Sequence, residues 1–377
     1  MAGARADFDA AIKLNPRDAR AFSGRAGIRA GDKDYAGAIE DYTRALDLSP
    51  SDITLRLQRA GTFAMSGDKA RALDDALTAQ SMQPDNPMAV AALAEAYLEN
   101  DKYAEAETTL RDASGKSPQN TALHIQLAET LMRCASKTQA QCIAARAEAV
   151  TEYDKAIAIE PTAYAYTSRS QARPFGEKDA KLADVNLALA MEPDSTFALT
   201  ARGSIYMSLK DYDKSLADLN AVLAKDPHDE QALNVRSLIY EKQRNYDAQI
   251  ADLKVLAADD PTNAAWLNSL CWARAINGRD LDKAMEECNA AVKLKPDQMA
   301  FIDSRGMVNL RLGKLDAAIA DYDSAIKLRP DSASSFYGRG IAKKRKGMTK
   351  EANKDLAAAR KIYPGVDAQF APYGITP

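Results

Sequence analysis

Few residues in this chain could do covalent chemistry, and their spacing works against it. The two histidines, His124 and His228, stand far apart along the chain. A Ser–His or Cys–His nucleophile pair therefore has little to draw on. No glycine-rich phosphate loop is present: Gly338-Arg-Gly340 is too short and lies inside a helical pattern. The four cysteines fall into two local pairs, Cys134 with Cys142 and Cys271 with Cys288. Such pairs point to disulfides formed in an oxidising compartment; the alternative is four small buried thiols. The spacings are not those of the close cysteine pairs in zinc sites, so no metal centre is expected. The reading is of no catalytic residue, no metal and no cofactor, hence not an enzyme.

One charged pattern does recur. Arg25 and Asp41, Arg59 and Asp75, Arg202 and Asp218, Arg236 and Asp252, Arg305 and Asp321, and Arg339 and Asp355 are each separated by 16 residues. Arg169 with Asp184 is a near copy. A row of arginines could hold an anionic ligand. Because an acid accompanies each one, the pairs read instead as structural ion pairs that set helix register, with the guanidinium fork offering bidentate geometry.

Net charge is −3 with acids and bases interspersed, so no global field draws the chain to nucleic acid or anionic lipid. The short basic run Lys343-Lys-Arg-Lys346 ends a helical pattern, where cations meet the helix dipole favourably. No apolar run approaches the roughly 18 residues of a membrane span, so no membrane insertion is expected.

The elements that carry these residues follow from a proline beat. Pro16, Pro50, Pro84, Pro118, Pro161, Pro193, Pro227, Pro261, Pro296, Pro330 and Pro364 recur, and eight of the ten intervals are 34 or 35 residues. A fixed period of this size means one supersecondary unit copied along the chain. In the unit 19–50, Phe22, Ala26 and Ile28 fall at helical spacing before Gly31-Asp32. Tyr35, Ala38, Ile39, Tyr42, Ala45 and Leu46 then mark a second helix that Pro50 ends. Small residues recur where the two helices must cross closely, as at Ala26, Ala60, Ala94 and Gly306.

Phe22, Ala26, Tyr35, Ala38, Tyr42, Ala45 and Pro50 fill in order the motif of the tetratricopeptide repeat family, which the chain resembles over nearly its whole length. The resemblance implies an all-α fold: a right-handed α-solenoid of stacked antiparallel helix pairs, whose first helices line a concave groove. Residues 1–18 read as a partial repeat holding only a second helix, as in a chain trimmed from a longer precursor. Ten repeats follow over 19–364, with a loop insertion near 133–143, and 365–377 read as a capping tail. The last third, with Leu267-Asn-Ser-Leu-Cys271-Trp272, Cys288-Asn289 and the ending Phe370-Ala-Pro-Tyr-Gly374, is similar to alphaproteobacterial members of unassigned activity.

If first helices line the groove, its exposed positions are readable. They are Arg20, Gln58, Glu95, Glu99, Gln126 and Glu129 early, Tyr164, Asn234 and Glu241 in the middle, and Asn268, Trp272, Asp303 and Tyr337 late. An acidic stretch thus passes into a polar and aromatic one suited to an extended peptide. The expected function is a non-enzymatic scaffold binding a protein or peptide, periplasmic or otherwise extracytoplasmic, with cytoplasmic as the alternative. A second reading is an auxiliary or regulatory module of a larger bacterial enzyme or envelope complex. The end repeats offer edges through which two copies would pair.

Overall fold

The computed structural model describes residues 2–135 and 137–377. Met1 of the expected partial repeat and Ser136 of the expected insertion lie outside the described residues. The described chain is all helix, without a strand, and divides into two compact units, 1–198 and 199–377. The first unit holds α1 (Ala2–Leu14), α2 (Ala19–Gly31), α3 (Tyr35–Leu48), α4 (Ile53–Met65), α5 (Lys69–Met82), α6 (Pro87–Glu99), α7 (Tyr103–Lys116), α8 (Thr121–Met132), α9 (Gln139–Ile159), α10 (Ala163–Ala172) and α11 (Lys178–Met191). Helix α12 (Thr196–Ser208) spans the division. The second unit continues with α13 (Tyr212–Lys225), α14 (Glu230–Lys242), α15 (Tyr246–Asp259), α16 (Ala264–Asn277), α17 (Leu281–Leu294), α18 (Met299–Arg311), α19 (Leu315–Leu328), α20 (Ala333–Arg345), α21 (Thr349–Ile362) and the short α22 (Val366–Phe370). Each unit is a solenoid: helices pack on their neighbours in sequence, and first helices also meet the next first helix, as α4 meets α6 and α16 meets α18.

The punctuation is chemical. Each of the periodic prolines stands just beyond a second helix, and after most of them a capping side chain starts the next first helix. Asp18, Asp52, Asn86, Asn120, Thr162, Asp229, Asn263 and Ser332 each accept from main-chain N–H groups of the first turn. Within most pairs a left-handed residue makes the tight turn: Lys33, Gly67, Asp101, Lys210, Arg244, Gly313 and Gly347. The expected insertion is partly helical. Thr138 and Gln141 form a capping box, so α9 begins at Gln139 and runs 21 residues where other second helices run 14. A Cys134–Cys142 disulfide ties the preceding loop to that first turn, and Cys271–Cys288 joins α16 to α17.

The crossings are filled by small residues. Ala26, Ala38, Ala45, Ala318, Ala325 and Ala352 have no exposed surface. In the second unit Tyr322 of α19 inserts between α18 and α20, and two glycines make room for it. A β-carbon on Gly338 would stand 2.3 Å from the Tyr322 ring, and one on Gly306 3.0 Å.

A row of charged staples runs along each unit. Arg25 donates from Nε (2.7 Å) and Nη2 (2.6 Å) to Asp41, and Arg236 does the same to Asp252 at 2.9 and 2.7 Å. Asp218 accepts from Nε and Nη2 of Arg202, both at 2.8 Å. Arg169 with Asp184, Arg305 with Asp321 and Arg339 with Asp355 repeat the geometry. Asp75 accepts from a second arginine, as Asp184 does from Arg173. It accepts from Arg59 Nε at 2.7 Å and Nη2 at 2.8 Å, and also from Nη1 of Arg56 at 3.2 Å. Arg56 stands one turn before Arg59 on α4, so the same carboxylate lies within reach of both.

The third guanidinium nitrogen turns back to the preceding second helix. Arg25 reaches Asp9 (2.7 Å), Arg59 reaches Thr43 (3.0 Å), Arg169 reaches Asp154 (2.7 Å), Arg236 reaches Asn220 (2.6 Å) and Arg339 reaches Asp323 (2.6 Å). One side chain thus joins three helices across a repeat boundary. The carboxylates are nearly buried, with side-chain exposures of 3% for Asp41 and Asp75, 8% for Asp218 and 5% for Asp252. Asp75 and Asp218 are therefore interior groups closed to a ligand, and their work is to fix the helices around them.

Two sets of substitutions separate these forces. Asp252→Ala strands the Arg236 guanidinium and should cost about 3 kcal/mol, whereas Arg236→Met/Asp252→Leu together should cost less; urea midpoints compare them. Gly338→Ala should destabilise by about 1–3 kcal/mol despite its gain of about 1 kcal/mol in helix propensity. Gly61→Ala in α4, where a β-carbon meets nothing within 4 Å, should stabilise by about 0.5–1 kcal/mol in the same assay.

Candidate functional site

The first helices carry both the staple arginines and the side chains expected to line a groove. In the N-terminal unit this face is acidic. Arg20, Gln58 and Glu95 are exposed. Glu99 Oε2 and Gln126 Oε1 are buried without a hydrogen-bond partner. Glu129 of α8 accepts from the Tyr164 hydroxyl of α10, and the Tyr164 ring, 48% exposed, stacks on Phe197 at 5.6 Å. Burial raises the Tyr164 hydroxyl pKa first, and the hydrogen bond to Glu129 and its charge add to it.

His124 does no chemistry that the geometry supports. Its Nδ1 lies 2.6 Å from Glu152 on α9, and its Nε2 lies 3.1 Å from the Pro118 carbonyl. Glu152 stands where other repeats carry the staple aspartate, and Lys155 donates to its second oxygen at 2.7 Å. The ring therefore replaces a missing arginine. One repeat has no staple residues, with Leu93 and Thr109 in their places. A cavity of about 250 Å³ opens there, lined by Leu77, Val90, Leu93, Tyr97, Thr109 and Leu123.

In the C-terminal unit the face is polar and aromatic, and it is partly covered. Asn234 is half-buried, and Glu241 accepts from Gln249 Nε2 at 3.2 Å. Asn268 Oδ1 is buried without a partner. Asp303 accepts from the Ser335 hydroxyl; burial pushes its carboxyl up to about 6, with the Ser335 and Ser334 hydroxyls opposing. Tyr337, expected as an open groove residue, is instead buried at 1% exposure. The cause is the chain itself: Phe370 packs 4.8 Å from its ring, and its hydroxyl donates to Asp367 at 2.9 Å. Burial, then the bond to Asp367 and its charge, raises that hydroxyl to about 12. Trp272 meets the Tyr373 ring edge-on at 5.9 Å.

The sequence reading missed three groups here. Leu270 takes the staple arginine's place in the disulfide-bearing repeat, and Arg274, one turn later, donates to Glu287 at 3.0 Å and to Asp280 at 2.7 Å. The acid at the expected position was the available signal. Asn309 adds a 2.8 Å bond to Asp321, and Lys343 one of 2.8 Å to Asp355. No cluster of three or more metal-ligating side chains occurs among the described residues.

The family model described as "Tetratricopeptide repeat" matches residues 2–53, 63–121 and 200–264, and a second described as "TPR repeat" matches 306–347. No curated protein matches. Among solved structures, yeast Tom70 is 15% identical and is matched over 98% of this chain and 90% of its own, with a TM-score of 0.44. A MamA structure is 23% identical over 42% of this chain and 93% of its own, at 0.38. MamA of Desulfovibrio magneticus RS-1 is 21% identical over 45% and 96%, at 0.42. With repeat models spanning more than half its length over stacked helix pairs, the chain belongs to the tetratricopeptide repeat family.

Proposed function

We propose that the chain is a non-enzymatic scaffold whose first-helix face binds an extended segment of another protein. The observation that carries this reading is the row of accessible polar side chains on first helices, with Arg20, Gln58 and Glu95 exposed and Asn234 half-buried. Polar side chains at such positions can bond the main chain of an extended peptide. In the N-terminal unit, Glu95, Glu99 and Glu129 favour a segment with lysine or arginine. The catalytic alternative lacks a nucleophile–base pair: His124 is engaged by Glu152 and the Pro118 carbonyl, and His228 lies 2.8 Å from Asp259 on the surface.

The two disulfides support an oxidising compartment, periplasmic or otherwise extracytoplasmic. No helix among the described residues is long and apolar enough to cross a membrane.

Peptide display against the full chain should select basic segments, and Glu95→Lys/Glu129→Lys should weaken them at least about tenfold by titration. Unchanged affinity would remove the N-terminal face from the binding site. Maleimide trapping of freshly isolated protein should label no cysteine until reductant is added; labelling of all the cysteines without reductant would end the case for an oxidising compartment.

A further inference from the structure

The last residues of the chain go further than an end cap requires. To shield the final helix pair, a cap has only to cover α20 and α21, and α22 packs on both. The chain then continues back over the first helices of earlier repeats. Tyr373 reaches Trp272 on α16, two repeats away. Its carbonyl accepts from Arg311 of α18, whose same nitrogen also donates to the Ile276 carbonyl at 3.1 Å. Val366, Phe370 and Ile375 are exposed by 0%, 2% and 1% and join one apolar cluster with Tyr337, Ile341 and Met307. Asp367 is held by the Tyr337 hydroxyl and by Arg360 at 2.7 and 2.9 Å. The segment therefore lies along first helices of three successive repeats, as a bound peptide would. The Arg360–Asp367 pair faces solvent and adds little, so the apolar side chains supply most of the hold.

We propose that residues 366–375 are a resident occupant of the groove of the C-terminal unit, and that a partner enters it by displacing them with a segment of the same chemistry. That chemistry is an acid followed by two aromatic side chains and an aliphatic one, at the spacing of Asp367, Phe370, Tyr373 and Ile375. The inference rests on the reading that first-helix faces bind polypeptide. A tethered segment competes at an effective concentration in the millimolar range, so the resting chain presents a closed groove to weak ligands.

The test titrates a fluorescein-labelled peptide of residues 365–377 against the full chain and its Phe370→Ala/Tyr373→Ala variant. The variant should bind the peptide at least about tenfold more tightly than the unaltered chain. Adding Trp272→Ala to the variant should abolish that binding. Equal affinity for both chains, or no binding to the variant at millimolar peptide, overturns the proposal. So does a concentration-dependent dimer that Phe370→Ala/Tyr373→Ala abolishes, since the segment would then sit in a second copy. If circular dichroism shows the variant unfolded, amide exchange in the ¹⁵N-labelled unaltered chain decides. Excess unlabelled peptide should speed exchange at residues 366–375, and unchanged rates overturn the proposal. Selection of basic segments through Glu95 and Glu129 uses the other unit. If that succeeds while the peptide fails, only this inference falls; if both fail, the binding reading falls with it.

Discussion

A guanidinium that grips a buried carboxylate in its own repeat and a polar group in the preceding one is the contact on which the stack depends. Two helices of this length cannot shield their apolar sides alone, so every repeat must be fixed against its neighbour. Alanine-lined crossings bring the axes close but leave the helices free to slide. The planar fork of arginine removes that freedom, because its Nε and Nη2 must meet both carboxylate oxygens at once while Nη1 reaches back, as in Arg236 with Asp252 and Asn220. A lysine could satisfy one of those contacts. With Asp252 only 5% exposed, the acid would be costly if left alone, so the pair specifies register more than it adds net stability.

The repeats that depart from this rule show what it does. Where Leu270 replaces the arginine, Arg274 takes over from the next turn, and a disulfide reinforces the same helix pair. Where the acid is Glu152, His124 and Lys155 hold it. Where the acid is Asp75, a second arginine joins the first. Where Leu93 and Thr109 stand in for both partners, a cavity opens beside them. Buried charge is held by whatever cation the local sequence offers.

Placing the structural charges between helix pairs frees the first-helix face. In the N-terminal unit that face stays open and acidic. In the C-terminal unit residues 366–375 cover part of it, through contacts such as Tyr373 with Trp272 that span far more sequence than the contacts between neighbouring helices. A fold of local contacts thus carries one long-range contact of the chain with its own first helices.

The helix pairs were legible in the chain because their causes are local. The periodic prolines stand just beyond helix ends, an Asp or Asn after most of them starts the next helix, and three- and four-residue apolar steps name the buried side. First helices accordingly begin at Ala19, Ile53, Pro87, Thr121, Ala163, Thr196, Glu230, Ala264, Met299 and Ala333. The 16-residue recurrence of arginine and aspartate was equally visible, since copies such as Arg202 with Asp218 reuse one geometry. What periodicity could not express was any departure from the period: α9 absorbing part of an insertion, Arg56 adding to the grip on Asp75, Arg274 substituting from a turn away, or Asp303 accepting from Ser335. Least of all could it place residues 366–375. Their apolar side chains announced that something would be covered, but which surface they cover depends on where α16, α18 and α20 converge, and only the assembled stack brings those helices together.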